Sequence, residues 1–213
     1  MFLTKQGKLT KKCPACKQSF SKNEGPACLT TCPTKKLEKK HQKILTKLVA
    51  YCLPKEKIII ECPFNLSASI AKSKGWGWTN DIARIITIPW WTLRSKPEFF
   101  DTVVHEVGHI IAYQKKFSPR LQKILQTWYN LEIEYETAPS VSNYQTLAEY
   151  ILQYEEEIEH YLTESEKEDG GHWKIWHREY QKLFKKLLNS PYAKYSYGQT
   201  QPHAYGFDEF KEL

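Results

Sequence analysis

The residues of this chain best suited to chemistry are His105, Glu106 and His109, an H-E-x-x-H run within the apolar stretch from Phe99 to Tyr113. Residues four apart lie on one face of a helix, so both imidazoles can reach a single metal ion. The carboxylate of Glu106 can then contact a metal-bound water without being a ligand itself. Two nitrogen ligands and an adjacent base, completed by a third ligand, are the arrangement that a zinc hydrolase needs. The run therefore predicts a catalytic zinc site with Glu106 as general base.

The sequence around this run is typical of a helix. Pro97 occupies a position where a first-turn proline is tolerated, and Ser95 lies near the N-cap. Apolar residues then recur at helical spacing as far as Ile111. Gly108, which costs about 1 kcal/mol relative to alanine in an exposed helix, suggests close packing by another backbone. The alternative is a core helix whose two histidines are hydrogen-bonded to neighbouring residues.

A third metal ligand must come from elsewhere in the chain. His172 follows two glycines and falls at the first turn of a predicted helix. Trp176, four residues later, shares a helical face with His172 and could shield the site. Four other side chains are alternatives for this role, namely Glu149, Glu155, His160 and His177.

These two segments carry a family resemblance. His105-Glu106-x-x-His109 followed by Gly-His172-x-x-x-Trp176 resembles the SprT-like zinc metallopeptidases, over about residues 58–188. The resemblance implies zinc bound by His105, His109 and His172, with Glu106 as the catalytic base. It also implies proteolysis of proteins bound or crosslinked to DNA. Two features depart from the family pattern: Trp173 replaces the usual glycine, and the spacer between the two motifs is several times longer than usual.

The remaining pattern predicts an α+β fold, with a small zincin-like sheet packed on the H-E-x-x-H helix. The expected strands are 56–62, 66–72 and 82–88, while 75–78 is expected to be a turn. The long spacer predicts a helical insertion over about 116–168, with one helix from Ser118-Pro119 to about Tyr135 and a second from about Asn143 to Leu162. In zincins an edge strand above the metal binds an extended peptide by β-addition, and which strand is the edge is left open here.

A second metal site is predicted near the amino terminus. Two close-spaced cysteine pairs, separated by eleven residues, are formed by Cys13, Cys16, Cys28 and Cys32. This spacing suits tetrahedral binding of a structural zinc ion and resembles treble-clef and zinc-ribbon knuckles. The alternative is a pair of disulfides in a secreted chain, but the first residues contain no apolar signal segment. Cys52 and Cys62 are expected to be buried free thiols.

Charge is unevenly distributed along the 213 residues. Residues 1–60 hold fourteen lysines and three glutamates, a net charge of +11, whereas the remainder carries −4. A helix over this region would present its lysines on one side, which suggests non-specific attraction to DNA phosphates or simply a solvated face. The candidate nucleic-acid-binding residues are Lys36, Lys39, Lys40 and Lys43.

The expected organisation is a four-cysteine zinc module at 1–36, a metallopeptidase domain at 37–190 and an aromatic-rich tail at 191–213. We expect an intracellular protein, cytoplasmic or associated with the nucleoid or nucleus, with no membrane span. The predicted function is a zinc-dependent endopeptidase with one catalytic and one structural Zn²⁺, acting on a protein or peptide substrate. The alternatives are a glutamate-ligand zincin such as a repressor-cleaving peptidase, a non-catalytic nucleic-acid-binding zinc protein, and a zinc hydrolase of a non-peptide bond.

Overall fold

The structure is a computed structural model, and it describes residues 2–3, 9–10, 33–62, 77–93, 96–167 and 172–193. The helices in these ranges are α1 (Pro33–Cys52), α2 (Trp90–Leu93), α3 (Lys96–Lys116), α4 (Pro119–Thr137), α5 (Val141–Gln153), α6 (Glu155–Lys167) and α7 (Lys174–Leu188). The strands are β1 (Phe2–Leu3), β2 (Leu9–Thr10), β3 (Ile59–Glu61), β4 (Trp78–Asn80) and β5 (Ile85–Thr87). The predicted α+β class is confirmed, with helix predominating. The H-E-x-x-H run lies on α3, as its spacing predicts.

The strands β3, β5 and β4 form one small sheet in that order. β3 is parallel to β5, with Ile59 opposite Ile85, and β4 is antiparallel to β5, with Trp78 opposite Thr87. In the described part of the chain β4 is therefore an edge strand. The strand predicted over 66–72 lies outside the described residues.

Two expectations about this sheet were wrong in detail. The strand predicted over 82–88 begins only at Ile85, because residues 81–84 form a turn in which Arg84 has a φ of 56°. The side chain of Asn80 accepts the Ala83 N–H at 2.9 Å, a local bond that competes with strand pairing. Trp78, which we expected in a turn, is instead the first residue of β4.

Helix α3 lies at the centre of the hydrophobic core. Its residues Val103, Val104, Val107 and Ile110 are fully buried. Its most extensive contacts are with α7, and it also packs against α1, α2 and β4. These neighbours fix α3 on several sides, so the histidines it carries are held on a rigid element.

Helix α1 joins the same core. It begins at residue 33, inside the predicted amino-terminal module, and buries Leu45 and Leu48 completely. The ring of His41 stacks on Phe99 of α3 with centroids 4.2 Å apart, and its Nδ1 is 2.8 Å from the Leu93 carbonyl oxygen. The four cysteines predicted to bind structural zinc lie outside the described residues.

The long spacer forms three helices, α4, α5 and α6. The predicted start of α4 is confirmed, because Ser118 caps it by accepting the Leu121 N–H and Pro119 is its first residue. The single helix predicted from Asn143 to Leu162 was wrong. The chain leaves helical geometry at Tyr154, which separates α5 from α6. This break lets α6 bury Ile158 against the core, whereas α5 has no buried residue.

No helix in the described ranges combines the length and apolarity needed to cross a membrane.

Candidate metal centre

Three imidazoles converge at one point on α3 and the approach to α7. The Nε2 atom of His105 lies 3.2 Å from that of His109 and 3.1 Å from that of His172. Nitrogen ligands bound tetrahedrally at about 2.0–2.1 Å from an ion lie about 3.3–3.4 Å from one another. The two printed separations are close to this value, and all three ligand atoms lie within 4.8 Å of one another, so the three side chains could hold one metal ion together.

The third histidine of this group is His172. Among the described residues, His105, His109 and His172 are the one set of three or more His, Cys, Asp or Glu side chains able to hold a metal ion together. The rival ligands Glu149, Glu155 and His160 are exposed side chains of the inserted helices, outside this set. His177 on α7 is also outside it. The expectation of a glutamate ligand is not supported here.

Trp173 anchors the segment that carries His172. Its indole is buried, its Nε1 donates a hydrogen bond of 3.0 Å to the Glu164 carbonyl oxygen on α6, and its ring packs edge-on against Phe117. Trp173 therefore ties the segment before α7 to helix α6. This contact helps to hold His172, the neighbouring residue, in place beside α3.

Trp176 packs against all three histidines. Its ring centroid is 4.7 Å from that of His105, 5.4 Å from that of His109 and 4.6 Å from that of His172. Its Nε1 also donates a long hydrogen bond of 3.4 Å to the His105 carbonyl oxygen. The shielding role expected for this residue agrees with these contacts.

Gly108 allows this tryptophan to approach α3. A Cβ atom at residue 108 would lie 2.9 Å from the Nε1 of Trp176, closer than side chains tolerate. We expected a neighbouring backbone to explain this glycine, but the neighbour is the indole. Gly108 is therefore required by the close packing of Trp176 against α3.

Glu106 lies beside the triad with its side chain almost entirely buried. The Thr79 hydroxyl, from β4, donates a hydrogen bond of 2.7 Å to its Oε2. Burial raises the pKa of Glu106 to about 7, against the opposing effect of the Thr79 hydrogen bond. A carboxyl with a pKa near neutrality can both accept and return a proton at physiological pH.

His105 is held in its neutral form. Burial, together with the neighbouring His172 and His177, lowers the pKa of its imidazole to about 3. A neutral imidazole has a free lone pair, which is the form that binds a metal ion.

A cleft of about 310 Å³ opens beside the triad. Glu106 and the edge strand β4, through Trp78 and Thr79, form one part of its lining. Asp81, Tyr161, Ser165 and Trp173 line it as well. Nothing in the sequence pattern indicated that Thr79 or Asp81 would line a functional cleft. Tyr161 could not be singled out as a cleft residue because the chain contains thirteen tyrosines.

The other predicted site residues are separate from this centre. The four candidate lysines of α1 are exposed, on the side opposite the buried Leu45 and Leu48, so the amphipathic helix is confirmed. Cys52 is a buried free thiol and Cys62 a half-buried one, and burial raises their pKa values to about 12 and about 11.

Comparison with protein-family models, with curated proteins and with solved structures gave no match for this chain.

Proposed function

We propose that this protein is a zinc-dependent endopeptidase. The observation that carries the proposal is the convergence of His105, His109 and His172 beside the buried carboxyl of Glu106. A purely structural metal site has no need for a buried base next to its ligands. The resemblance of these residues to the SprT-like pattern supports the same reaction class, and a zincin-like fold is part of the proposal.

The three histidines would hold the ion, and Glu106 would carry the proton. Bound Zn²⁺ supplies a Lewis acid that polarises a carbonyl and lowers the pKa of water towards about 7. The Glu106 carboxylate accepts a proton from the attacking water and later delivers it to the leaving amine. Thr79 keeps that carboxylate oriented through its 2.7 Å hydrogen bond.

β4 is the candidate substrate strand. It lies at an edge of the described sheet and brings Trp78 and Thr79 to the cleft. An extended peptide could add to this edge by main-chain hydrogen bonds, which would place its backbone beside the triad. Cleavage would then require a segment that can become extended, so unfolded proteins should be better substrates than folded ones.

The exposed lysines of α1 support a DNA-associated substrate. Four lysines on one solvent-facing side form a positive surface that phosphates would attract without base specificity. We propose that this surface brings the enzyme to proteins bound to DNA. Structural zinc bound by the four amino-terminal cysteines stays a prediction.

The decisive experiment compares the unaltered protein with Glu106→Gln. We expect zinc content to be unchanged and hydrolysis of an unfolded protein such as denatured casein to be lost, because the amide cannot accept a proton. Glu155→Gln, an exposed glutamate outside the metal group, is the matched control and should retain full activity. Activity in a pure Glu106→Gln preparation would remove Glu106 as base, and a zinc-loaded protein that cleaves no unfolded chain would refute the peptidase.

A further inference from the structure

Asp81 immediately follows β4 and lines the cleft of the proposed peptidase. One carboxylate oxygen, Oδ1, accepts the Ile82 N–H at 3.1 Å and the Tyr161 hydroxyl at 3.3 Å. The Ser165 hydroxyl lies beside that of Tyr161 and also lines the cleft. A peptide added along β4 would therefore pass a group of oxygen atoms just beyond the strand.

No lysine or arginine of the described part of the chain forms an ion pair with the Asp81 carboxyl. The nearby Arg84 pairs with Glu56 at 2.6 Å, and Lys116 pairs with Glu164 at 2.8 Å. The described cleft lining contains two carboxyl groups and neither lysine nor arginine.

The surroundings of Asp81 favour a cation with a long apolar stem. The cleft is also lined by Trp78 and Trp173, whose rings can cover methylene groups and attract a positive charge. Burial raises the pKa of the Asp81 carboxyl, so its charged form lacks part of the hydration it would have in water. A cation entering from the cleft would offset this loss.

We propose that Asp81, with Tyr161 and Ser165, forms a subsite that binds a lysine or arginine side chain of the protein being cleaved. This inference rests on the proposed peptidase function and adds a substrate class to it. Proteins that bind DNA are rich in these side chains, so the subsite fits the substrate suggested by the basic face of α1.

A structural role for Asp81 is the competing explanation, since its Oδ1 stabilises the turn after β4. Asp81→Asn separates the two roles, because the amide oxygen can still accept both hydrogen bonds while the charge is lost. Asp81→Glu keeps the charge and alters the packing instead. Glu156→Gln, which removes one exposed negative charge from the start of α6, controls for net charge.

The test uses pairs of quenched fluorescent peptides that differ only in lysine or glutamine, with the differing residue moved through the positions around the cleaved bond. We expect the unaltered protein to prefer lysine at one position by about 10- to 100-fold in kcat/KM. Asp81→Asn should abolish this preference by lowering kcat/KM for the lysine peptides far more than for the glutamine peptides. Asp81→Glu and Glu156→Gln should retain the preference.

Binding of the same peptides to the Glu106→Gln protein, followed by fluorescence anisotropy, tests the subsite without hydrolysis. Suppose that the lysine peptides bind more tightly than the glutamine peptides, that this selectivity requires Asp81, and that the unaltered protein cleaves neither. This result would uphold the subsite and refute the peptidase. Cleavage without any lysine or arginine preference would overturn the subsite and leave the peptidase intact. An equal loss of activity on both peptides in Asp81→Asn would assign Asp81 to structure and also overturn the subsite. If Asp81→Asn does not fold, the test uses the unaltered protein and Asp81→Glu. Both should prefer lysine at the same peptide position, and the absence of this preference would overturn the subsite.

Discussion

Gly108→Ala tests the packing beneath the metal centre. The new methyl group would lie 2.9 Å from Nε1 of Trp176. That indole is buried, stacks on Tyr180 with centroids 4.9 Å apart and planes within 7°, and hydrogen-bonds to the backbone of His105. Because these contacts constrain the indole, the added methyl group can be accommodated only if α3 and the indole move apart.

The size of the effect follows from two opposing contributions. Replacing glycine with alanine in a helix stabilises the folded state by about 1 kcal/mol. Overpacking a close-packed core costs about 1–3 kcal/mol, so we expect a net loss in the free energy of unfolding of up to about 2 kcal/mol. Because the indole contacts all three histidine rings, its displacement should also weaken metal binding by about 10- to 100-fold.

Urea unfolding and zinc competition with a chelator measure the two effects. The matched control is a double-mutant cycle with Trp176→Phe, because phenylalanine lacks the ring edge that carries Nε1. In the Trp176→Phe background the cost of Gly108→Ala should fall by about 1 kcal/mol or more. An alanine variant that is more stable than the unaltered protein and binds zinc equally well would refute the reasoning, as would an additive cycle.

Three further predictions concern the metal, the core and the basic face. His172→Ala should reduce bound zinc by one ion per chain as measured by elemental analysis, whereas His177→Ala should not, and full zinc in His172→Ala would exclude it as a ligand. Glu179→Gln should lower the free energy of unfolding by about 1 kcal/mol at pH 7. Burial acts to raise the pKa of Glu179, but a pKa of about 2 results from hydrogen bonds donated by Lys115, Lys182 and Arg178. Because the folded-state pKa lies below the ordinary value of 4.5, the stabilisation is present above about pH 4.5 and is lost as the pH falls towards 2. Urea unfolding at pH 7 and near pH 2 measures the difference in stability between the unaltered protein and Glu179→Gln. A difference that is equally large at both pH values would contradict the prediction. Replacing the four exposed lysines of α1, Lys36, Lys39, Lys40 and Lys43, with glutamate should weaken DNA binding and reduce its dependence on salt. An unaltered DNA affinity in a titration would show that these lysines form only a solvated helix face.

Several local features of the fold could be predicted because their causes are local. The helical period and the i, i+4 spacing placed His105 and His109 together on α3. A serine followed by proline identified the first residue of α4. The alternation of lysines and apolar residues identified the two sides of α1. Each of these depends only on residues within a few turns of one another.

Other features were missed because competing local forces or distant contacts decide them. The apolar spacing of the inserted region runs without interruption through Tyr154, so it gave no sign of the break between α5 and α6. Three consecutive glutamates at the start of α6, which favour a helix amino terminus, were an available signal. The turn at residues 81–84 formed because side chains of Asn80 and Asp81 satisfy backbone N–H groups that a longer strand would have used.

The amino-acid sequence by itself determined that His105 and His109 lie together on one helix beside the Glu106 carboxyl, because a helix fixes the geometry of residues four apart. It left the third ligand open among five side chains. Only the tertiary structure brought His172 to within 3.1 Å of a histidine 67 residues away, by packing α7 on α3 and fastening Trp173 to the inserted helix α6. It also placed Thr79 on Glu106 and Asp81 in the cleft, since contacts between distant segments depend on how whole elements pack and not on the spacing within any one of them.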